Sequence, residues 1–175
     1  KPTNPYSASK AAAEMIVQSY IDSYKMNIKT IRCNNVYGPN QYPEKLIPLS
    51  VKHLQRGKKI RLHNAGEPVR NWLHADDTAE AVVTIIERGQ INEIYNVAGN
   101  LQQKNKDTVK KVINNFFNNE YNWVEHVDLA YVREGQDVRY ALNDEKLRAL
   151  GWNNKKSFDE EIPKLVEYYK QNFKW

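Results

Sequence analysis

Lys10 follows Tyr6 by four residues near the start of the chain, a spacing that suits acid–base chemistry. On a helix the two side chains share one face, where the lysine ammonium favours the phenolate and makes the tyrosine a usable base. With 11 tyrosines among 175 residues, roughly one such pair arises by chance, so the motif by itself is weak. The pair is therefore either a redox base with its partner or a solvated pair on a helix surface.

No metal chemistry is indicated by the cysteine and histidine content. The four histidines have neither metal-ligand spacing nor cysteine neighbours, so we expect no metal site. The single cysteine, Cys33, cannot form an internal disulfide and lies in an apolar stretch, which favours a buried structural thiol. A reducing, cytoplasmic setting is the resulting expectation.

Composition is typical of one globular unit. The chain is 41% hydrophobic and 27% charged over 175 residues, and none of its apolar runs approaches the roughly 20 residues that cross a bilayer. We therefore expect no membrane segment. The net charge of +5 favours an anionic partner, but the lysine-rich stretches accompany no nucleic-acid motif, so nucleic acid is not expected.

The elements that must position the tyrosine and the lysine can be predicted from hydrophobic periodicity. An apolar stripe without Gly or Pro predicts a helix over 7–24, and the following run 28–36 predicts a buried strand that ends at Gly38-Pro39. A second helix is expected to follow Pro48 and stop near Gly57. A strand over 59–63 and a turn at 64–66 come next.

Later segments continue the alternation of strands and helices, which predicts an α/β chain. Asp77 and Glu80 have the spacing of a capping box for a helix over 77–88 that Gly89 closes. The further predictions are a strand over 93–98, a helix around 109–117, a strand over 123–132, a short helix capped by Asn143, and a helix from Ser157 and Glu160 whose stripe reaches Phe173. Pro163 predicts a kink or a later start in that last helix.

Several segments taken in order resemble the nucleotide-sugar 4,6-dehydratases, in particular those acting on dTDP- or UDP-glucose, within the extended short-chain dehydrogenase/reductases. They are Asn4-Pro-Tyr-Ser-Ala-Ser-Lys10, Arg32-Cys-Asn-Asn-Val-Tyr-Gly-Pro39, Tyr42-Pro-Glu-Lys-Leu-Ile-Pro48, Arg70-Asn-Trp-Leu-His-Ala-Asp-Asp77, Tyr95-Asn-Val-Ala-Gly99 and Leu150-Gly-Trp152. The resemblance covers essentially all 175 residues. The 42–48 segment in particular is a dehydratase feature and not a general mark of the superfamily.

The resemblance implies an α/β fold that is the C-terminal part of an NAD(P)-binding Rossmann-like enzyme with its smaller substrate-binding domain. Residues 1–36 would be the last helix and strand of the dinucleotide-binding domain and 37–175 mainly the substrate domain, with 76–99 returning to the Rossmann sheet. The implied activity is that of a lyase of deoxysugar biosynthesis, such as that of rhamnose. NAD-dependent oxidation at C4, elimination of water and hydride return would give a 4-keto-6-deoxy sugar nucleotide.

Residue roles follow from the same resemblance. Tyr6 and Lys10 would be catalytic and, with Asn35, would contact NAD. The substrate-binding residues would be Asn35, Glu44, Lys45, Leu46, Leu62, His63, Arg70, Asn96, Arg133 and Gln136. Lys45 suits a phosphate as a point charge, and the arginines suit charge-assisted bonds to the diphosphate. Arg139 is a weaker candidate that could instead pair with Asp137.

Departures from the family pattern keep alternatives open. Arg61-Leu62-His63 stands where a proline and an aromatic commonly flank the nucleobase, so the choice between UDP and dTDP stays open. His74, Glu134 and Gln136 replace a usual tyrosine, proline and histidine. The family's glycine-rich turn and its upstream Asp-Glu pair have no match in these 175 residues.

An epimerase or decarboxylase of the same superfamily and a non-catalytic sugar-nucleotide-binding module are therefore rival hypotheses. The helix over 7–24 and the strand over 28–36 would each lack a neighbour in a lone half, exposing an apolar face and an open strand edge. We accordingly expect a homodimer or an association with the missing N-terminal half.

Overall fold

The protein was analysed as a computed structural model, which describes residues 2–119 and 121–172. Helices and strands alternate along this part of the chain, and parallel pairs join strands that are distant in sequence. The predicted α/β class is therefore confirmed, whereas the division at residue 36 stays a prediction. Within the described ranges, no helix has both the length and the apolar character of a bilayer-spanning helix.

The first predicted helix is confirmed as α1, Pro5–Tyr24. It begins with a reciprocal cap: the Asn4 side-chain oxygen accepts the Ser7 amide at 2.9 Å, and the Ser7 hydroxyl accepts the Asn4 amide at 3.2 Å. The helix ends where Lys25 adopts a left-handed conformation with φ 52°. No residue of α1 is buried, so its apolar stripe faces outward from the rest of the chain.

The run 28–36, predicted as one strand, forms two strands that belong to different sheets. β1 (Thr30–Cys33) pairs in parallel with Ile94–Val97, which is β5 and lies where a strand over 93–98 was predicted. β2 (Asn35–Tyr37) pairs in parallel with β4 (Val69–His74). Asn34 is the junction, and its amide still donates to the carbonyl of Val97 at 3.1 Å. A break of one residue leaves the hydrophobic period intact, so the sequence did not reveal it.

β4 is the middle strand of its sheet and was not predicted. Its other neighbour is β6 (Leu101–Lys104), which runs antiparallel to it. Arg70 and Asn71 break the alternation that would have indicated a strand, although Trp72 and Leu73 are buried.

Helices α2 (Leu46–Gln55), α4 (Asn105–Phe117) and α6 (Phe158–Gln171) enclose the main core. α4 confirms the helix predicted around 109–117. α2 begins before Pro48 and not after it, because amides in the first helical turn have no intrahelical partner and proline is tolerated there.

The last helix starts at Phe158, as the Ser157 signal indicated, but Ser157 makes no side-chain capping bond. Pro163 lies inside α6, so the predicted later start is wrong. Phe173 lies outside the described residues.

The helix predicted over 77–88 is α3, Ala75–Arg88, and the cap predicted at Asp77 is wrong. His74 is the N-cap, and its Nδ1 accepts the Asp76 amide at 3.1 Å. The buried Asp77 carboxylate instead accepts the amides of Lys155 and Lys156, each at 3.1 Å. α3 and β5 contribute to a second core cluster around Leu73, Tyr95 and Trp152.

Two of the predicted strands are shorter than expected. β3 (Ile60–Arg61) pairs in parallel with β7 (Val127–Asp128), a turn with two left-handed residues occupies 63–66, and a 3₁₀ turn occupies 123–126. The turn predicted at 64–66 is thus confirmed, but most of the strand predicted over 123–132 is not formed. The N-cap residue of α5 (Glu145–Arg148) is Asp144 and not the predicted Asn143, although the Asn143 side-chain oxygen accepts the Glu145 amide at 2.8 Å.

Candidate functional site

Tyr6 and Lys10 lie in the first turns of α1, at the end of the helix that Asn4 caps. The helical backbone confirms that they lie one turn apart on a common face. Tyr6 is 71% exposed, so its hydroxyl is open to a ligand. Further along α1, Glu14 accepts hydrogen bonds from Arg32 of β1, and this contact lowers the pKa of Glu14. The ion pair joins the helix to the strand that follows it.

The 131–143 segment connects α1 to most of the other predicted site residues. Its only described strand-like contact is a bridge between Arg139 and Val69, and it otherwise runs without helix or strand. Side chains from the surrounding elements donate to its carbonyl oxygens: Asn64 to Arg133 at 3.1 Å, Asn4 to Gly135 at 3.0 Å, Arg70 to Asp137 at 3.0 Å, Asn34 to Tyr140 at 3.4 Å and Asn96 to Asn143 at 2.9 Å. The segment is therefore fastened to the N-cap of α1, to the junction between β1 and β2, to the turn of Asn64, and to β4 and β5.

Arg70 is a half-buried cation on β4. One guanidinium nitrogen donates to the carbonyls of Val69 and Asp137, at 2.8 and 3.0 Å. Burial lowers the pKa of Arg70, whereas the nearby Asp137 opposes this shift. Among the described residues no acceptor meets the remaining guanidinium N–H groups, so they can bind a ligand anion, and partial desolvation strengthens such a contact.

Arg133 and Gln136 lie in the 131–143 segment, and Asn64 holds both of them. The amide group of Asn64 donates to the Arg133 carbonyl and to the Gln136 side-chain oxygen, while its oxygen accepts the Arg133 amide. The Arg133 side chain is exposed and bonds no other residue in the described part of the chain. Arg139 does not pair with Asp137 among the described contacts but donates to the Gln102 side chain at 2.9 Å.

His63 is exposed at the start of the 63–66 turn, and its ring meets Tyr131 edge-on with centroids 6.2 Å apart. The Arg61 guanidinium lies 4.8 Å from the centre of the same tyrosine ring. Leu62 differs from its neighbours: its side chain is 2% exposed and packs in the main core. A ligand at this turn would meet His63 and Tyr131, and it would meet Leu62 through the backbone.

Two buried amide oxygens lie where β1 and β5 end. Asn34 is 5% exposed, and within the described ranges neither its side-chain oxygen nor that of Asn96 has a hydrogen-bond partner. Leaving such an oxygen unpaired costs about 1–3 kcal/mol, which a ligand O–H or N–H would offset. Ligands of open α/β sheets bind at the carboxyl ends of parallel strands. Asn35, the predicted residue, is exposed in β2, so Asn34 is a buried candidate that the resemblance did not name.

Glu44, Lys45 and Leu46 form the entry to α2. Glu44 and Lys45 pair with each other at 3.0 Å on the surface, and Leu46 packs against the main core. Lys45 also lines a cavity of ≈ 280 Å³ together with Gly38 and Ala75, where β2 ends and α3 begins. None of the hydrogen bonds described for these residues links them to the 131–143 segment.

The site thus combines a phenol and an amine on one helix end with cationic and amide groups placed around the 131–143 segment. This arrangement can hold an anionic, hydroxyl-rich ligand against a potential base. The sequence pointed to Tyr6, Arg70 and Arg133 but not to Asn34 or Asn64. The Asn-Asn pair in an otherwise apolar run was the available signal for Asn34.

Comparison with known proteins gives consistent relatives. A family described as GDP-mannose 4,6-dehydratase matches residues 1–165. The dTDP-D-glucose 4,6-dehydratase of Bos taurus is 42% identical in an alignment that covers 99% of this chain and 49% of the bovine protein. A trifunctional UDP-glucose 4,6-dehydratase, 3,5-epimerase and 4-keto-L-rhamnose reductase of Arabidopsis thaliana is 39% identical over 99% of this chain and 26% of its own length. The chain therefore spans half or less of these relatives.

Solved structures agree on the fold. The dTDP-glucose 4,6-dehydratase of Streptomyces venezuelae, solved with NAD bound, superposes with a TM-score of 0.90 at 34% identity, covering 98% of this chain and 52% of that one. The UDP-glucose 4-epimerase of Thermus thermophilus, also a complex with NAD, gives a TM-score of 0.83 at 28% identity, covering 97% and 55%. Both dehydratases and epimerases thus share this fold.

Proposed function

The chain belongs to the GDP-mannose 4,6-dehydratase family, and from that premise we propose that the protein acts in the 4,6-dehydration of dTDP- or UDP-glucose. The product is the 4-keto-6-deoxy sugar nucleotide, and the enzyme is a lyase. The observation that carries the proposal is the 131–143 segment. It joins the helix of Tyr6 and Lys10 to Arg70 and Arg133, so that a base and the cations for a diphosphate act on one ligand.

In this proposal Tyr6 acts as the base that accepts the proton of the sugar 4-hydroxyl, while the C4 hydrogen leaves as hydride. Lys10, one helical turn away, would hold the nicotinamide ribose with its ammonium group. Arg70 and Arg133 bind the diphosphate, and Lys45 adds a point charge at α2. Asn35, Glu44, Leu46 and Asn96 line the sugar nucleotide, and the turn of Leu62 and His63 meets the base with Gln136 beside it.

NAD is the cofactor in this proposal, and it supplies the hydride acceptor that is regenerated when hydride returns to C6. The unpaired oxygens of Asn34 and Asn96 at the ends of β1 and β5 fit a ligand rich in hydroxyl and amide donors. Tyr6, Lys10 and Asn35 would hold its nicotinamide side. The loss of the C5 proton and the C6 hydroxyl as water is a separate step, and we assign no residue of this chain to it.

A homodimer or an association with an N-terminal half completes the proposal. α1 has no buried residue, and its apolar side chains are open, with Met15 75% and Ile16 58% exposed. β1 pairs with β5 on one edge, and the described residues provide no strand for its other edge. Such surfaces are normally covered. The single Cys33 is consistent with the cytoplasm as the place of action.

The test is turnover of dTDP-glucose and UDP-glucose by the intact protein with NAD. The proposal predicts a product lighter by one water that absorbs in alkali as a 4-ketone does. A product of unchanged mass would instead identify the epimerase that the T. thermophilus structure represents. Nucleotide binding without any turnover would support the non-catalytic module.

Tyr6→Phe separates chemistry from binding. It removes the proposed base and should lower kcat by about 100-fold or more while leaving nucleotide affinity within about twofold. Tyr20→Phe is the matched control, because Tyr20 lies on the same helix and is also exposed. Equal kcat values for the two variants would remove Tyr6 from the mechanism.

A further inference from the structure

Asn64 lies in the turn after β3, in a backbone conformation that few residues adopt. Its φ of 51° and ψ of 44° are left-handed, and Ala65 after it has φ 52°. Asparagine is among the few non-glycine residues that tolerate this region. The turn thereby directs the Asn64 side chain toward residues that lie 69 and 72 positions later in the chain.

The side chain of Asn64 bonds Arg133 in the way that a neighbouring strand would. Its amide nitrogen donates to the Arg133 carbonyl at 3.1 Å, and its oxygen accepts the Arg133 amide at 2.9 Å. The same nitrogen donates to the Gln136 side-chain oxygen at 2.9 Å, and the Asn64 backbone amide donates to the Tyr131 carbonyl at 2.7 Å. The donor and the acceptor of the Asn64 carboxamide thus both bind the same short stretch of chain.

The residues that Asn64 fixes belong to the proposed nucleotide site. His63 precedes it directly, and Tyr131 meets the His63 ring edge-on. Arg133 is held only through its backbone by these bonds, so its guanidinium stays free for an anion. The Gln136 side chain would otherwise be one of the freely rotating groups of an irregular segment.

From this geometry, and resting on the proposed function, we propose that Asn64 is a positioning residue for sugar-nucleotide binding. It touches neither the reacting atoms nor the phosphate in this proposal. It holds the Arg133 backbone and the Gln136 side chain beside the His63 turn before the ligand arrives, so that binding need not order the 131–143 segment. The chemical step at Tyr6 does not depend on it.

The test compares the intact protein with Asn64→Gly, which keeps a residue suited to φ 51° and removes the side-chain bonds. Asn118→Gly is the matched control, because Asn118 has a similar φ of 56° at the end of α4. We expect Asn64→Gly to raise KM for the sugar nucleotide, and Kd for dTDP or UDP, by roughly tenfold, with kcat changed by less than about twofold. The control should leave all of these values unchanged.

Two further measurements separate positioning from simple stability. In an Arg133→Ala background, Asn64→Gly should raise Kd by less than about threefold, since the side chain that it positions is gone. In the ligand-free protein, amide hydrogen exchange across 131–137 should accelerate about tenfold in Asn64→Gly while exchange in α2 and α4 is unchanged.

An unchanged KM with a lowered melting temperature would overturn the inference, as would equal effects of Asn64→Gly with and without Arg133. A wild-type protein that binds neither dTDP nor UDP would refute the proposed function and the binding role with it. The exchange experiment distinguishes that case, because it reports whether Asn64 orders the segment without any ligand.

Discussion

Asp77 gives the sharpest test of the structure, because the sequence and the fold assign it different roles. The sequence pattern made it a helix cap, whereas the structure buries it in the first turn of α3 and directs its carboxylate to the amides of Lys155 and Lys156, each at 3.1 Å. A cap can be replaced by serine at little cost. A carboxylate that reaches across to a segment 78 and 79 residues away cannot.

The expected loss follows from these bonds. Hydrogen bonds to a charged group are each worth about 1.5–3 kcal/mol, and solvent can partly replace them because both are only part-buried. We therefore expect Asp77→Ala and Asp77→Ser each to lower the free energy of unfolding by about 3 kcal/mol. Asp76→Ala is the matched control: its carboxylate is 64% exposed and pairs with Lys156 at 3.3 Å, so its removal should cost less than about 1 kcal/mol.

The assay is urea unfolding of the intact protein and its variants, followed by circular dichroism, with the slope compared among variants. A near-wild-type stability for Asp77→Ser would show that Asp77 acts as a cap and that the contact with 155–156 contributes little. Equal losses for Asp77→Ala and Asp76→Ala would refute the argument from burial.

Three other outcomes are expected. Arg70→Ala should raise Kd for dTDP or UDP by about 10- to 100-fold in calorimetry, because a half-buried charge-assisted contact is lost. Arg139→Ala is the control and should change Kd less than about threefold. Equal changes in Kd for the two variants would show that Arg70 does not bind the diphosphate. Ala65→Gly should stabilise the protein by about 0.5–1 kcal/mol in urea, because φ 52° strains an alanine, and destabilisation would show that the turn is not strained. Burial raises the pKa of Tyr169 to about 12, so the neutral phenol's contribution to the free energy of unfolding is complete below pH ~10 and is lost as the pH rises to about 12. Tyr169→Phe should abolish up to about 2–3 kcal/mol of that pH dependence. If the free energies of unfolding of the wild type and the variant ran parallel from pH ~9 to about 12, that result would contradict the shift.

Helices were largely predictable because each carries an apolar stripe that recurs in the sequence. The helix over 7–24 was found although none of its residues is buried within this chain, since its stripe and cap are local features. The main error within helices concerned the start of α3, where His74 replaces Asp77 as the cap. Histidine is not a common cap, and its role depends on the ring position that β4 gives it.

Strands were predicted less well because their partners are distant. The switch between β1 and β2 at Asn34 depends on which strand lies alongside, β5 for one and β4 for the other. The strand over 123–132 alternates in sequence, yet only Val127 and Asp128 pair, because β3 offers only Ile60 and Arg61 as partners. Alternation shows which face could be buried but not how long the neighbouring strand is.

The 131–143 segment shows why a site can be recognised from a sequence before its geometry can be. Backbone polar groups outside helices and strands still need partners, and here side chains of Asn4, Asn34, Asn64, Asn96 and Arg70 donate to its carbonyl oxygens. Asparagine suits this task because its amide both donates and accepts. In a sequence these asparagines indicate only caps and turns. Because the bonds that order the segment also gather the proposed site, substituting these asparagines should affect ligand affinity more than the chemical step.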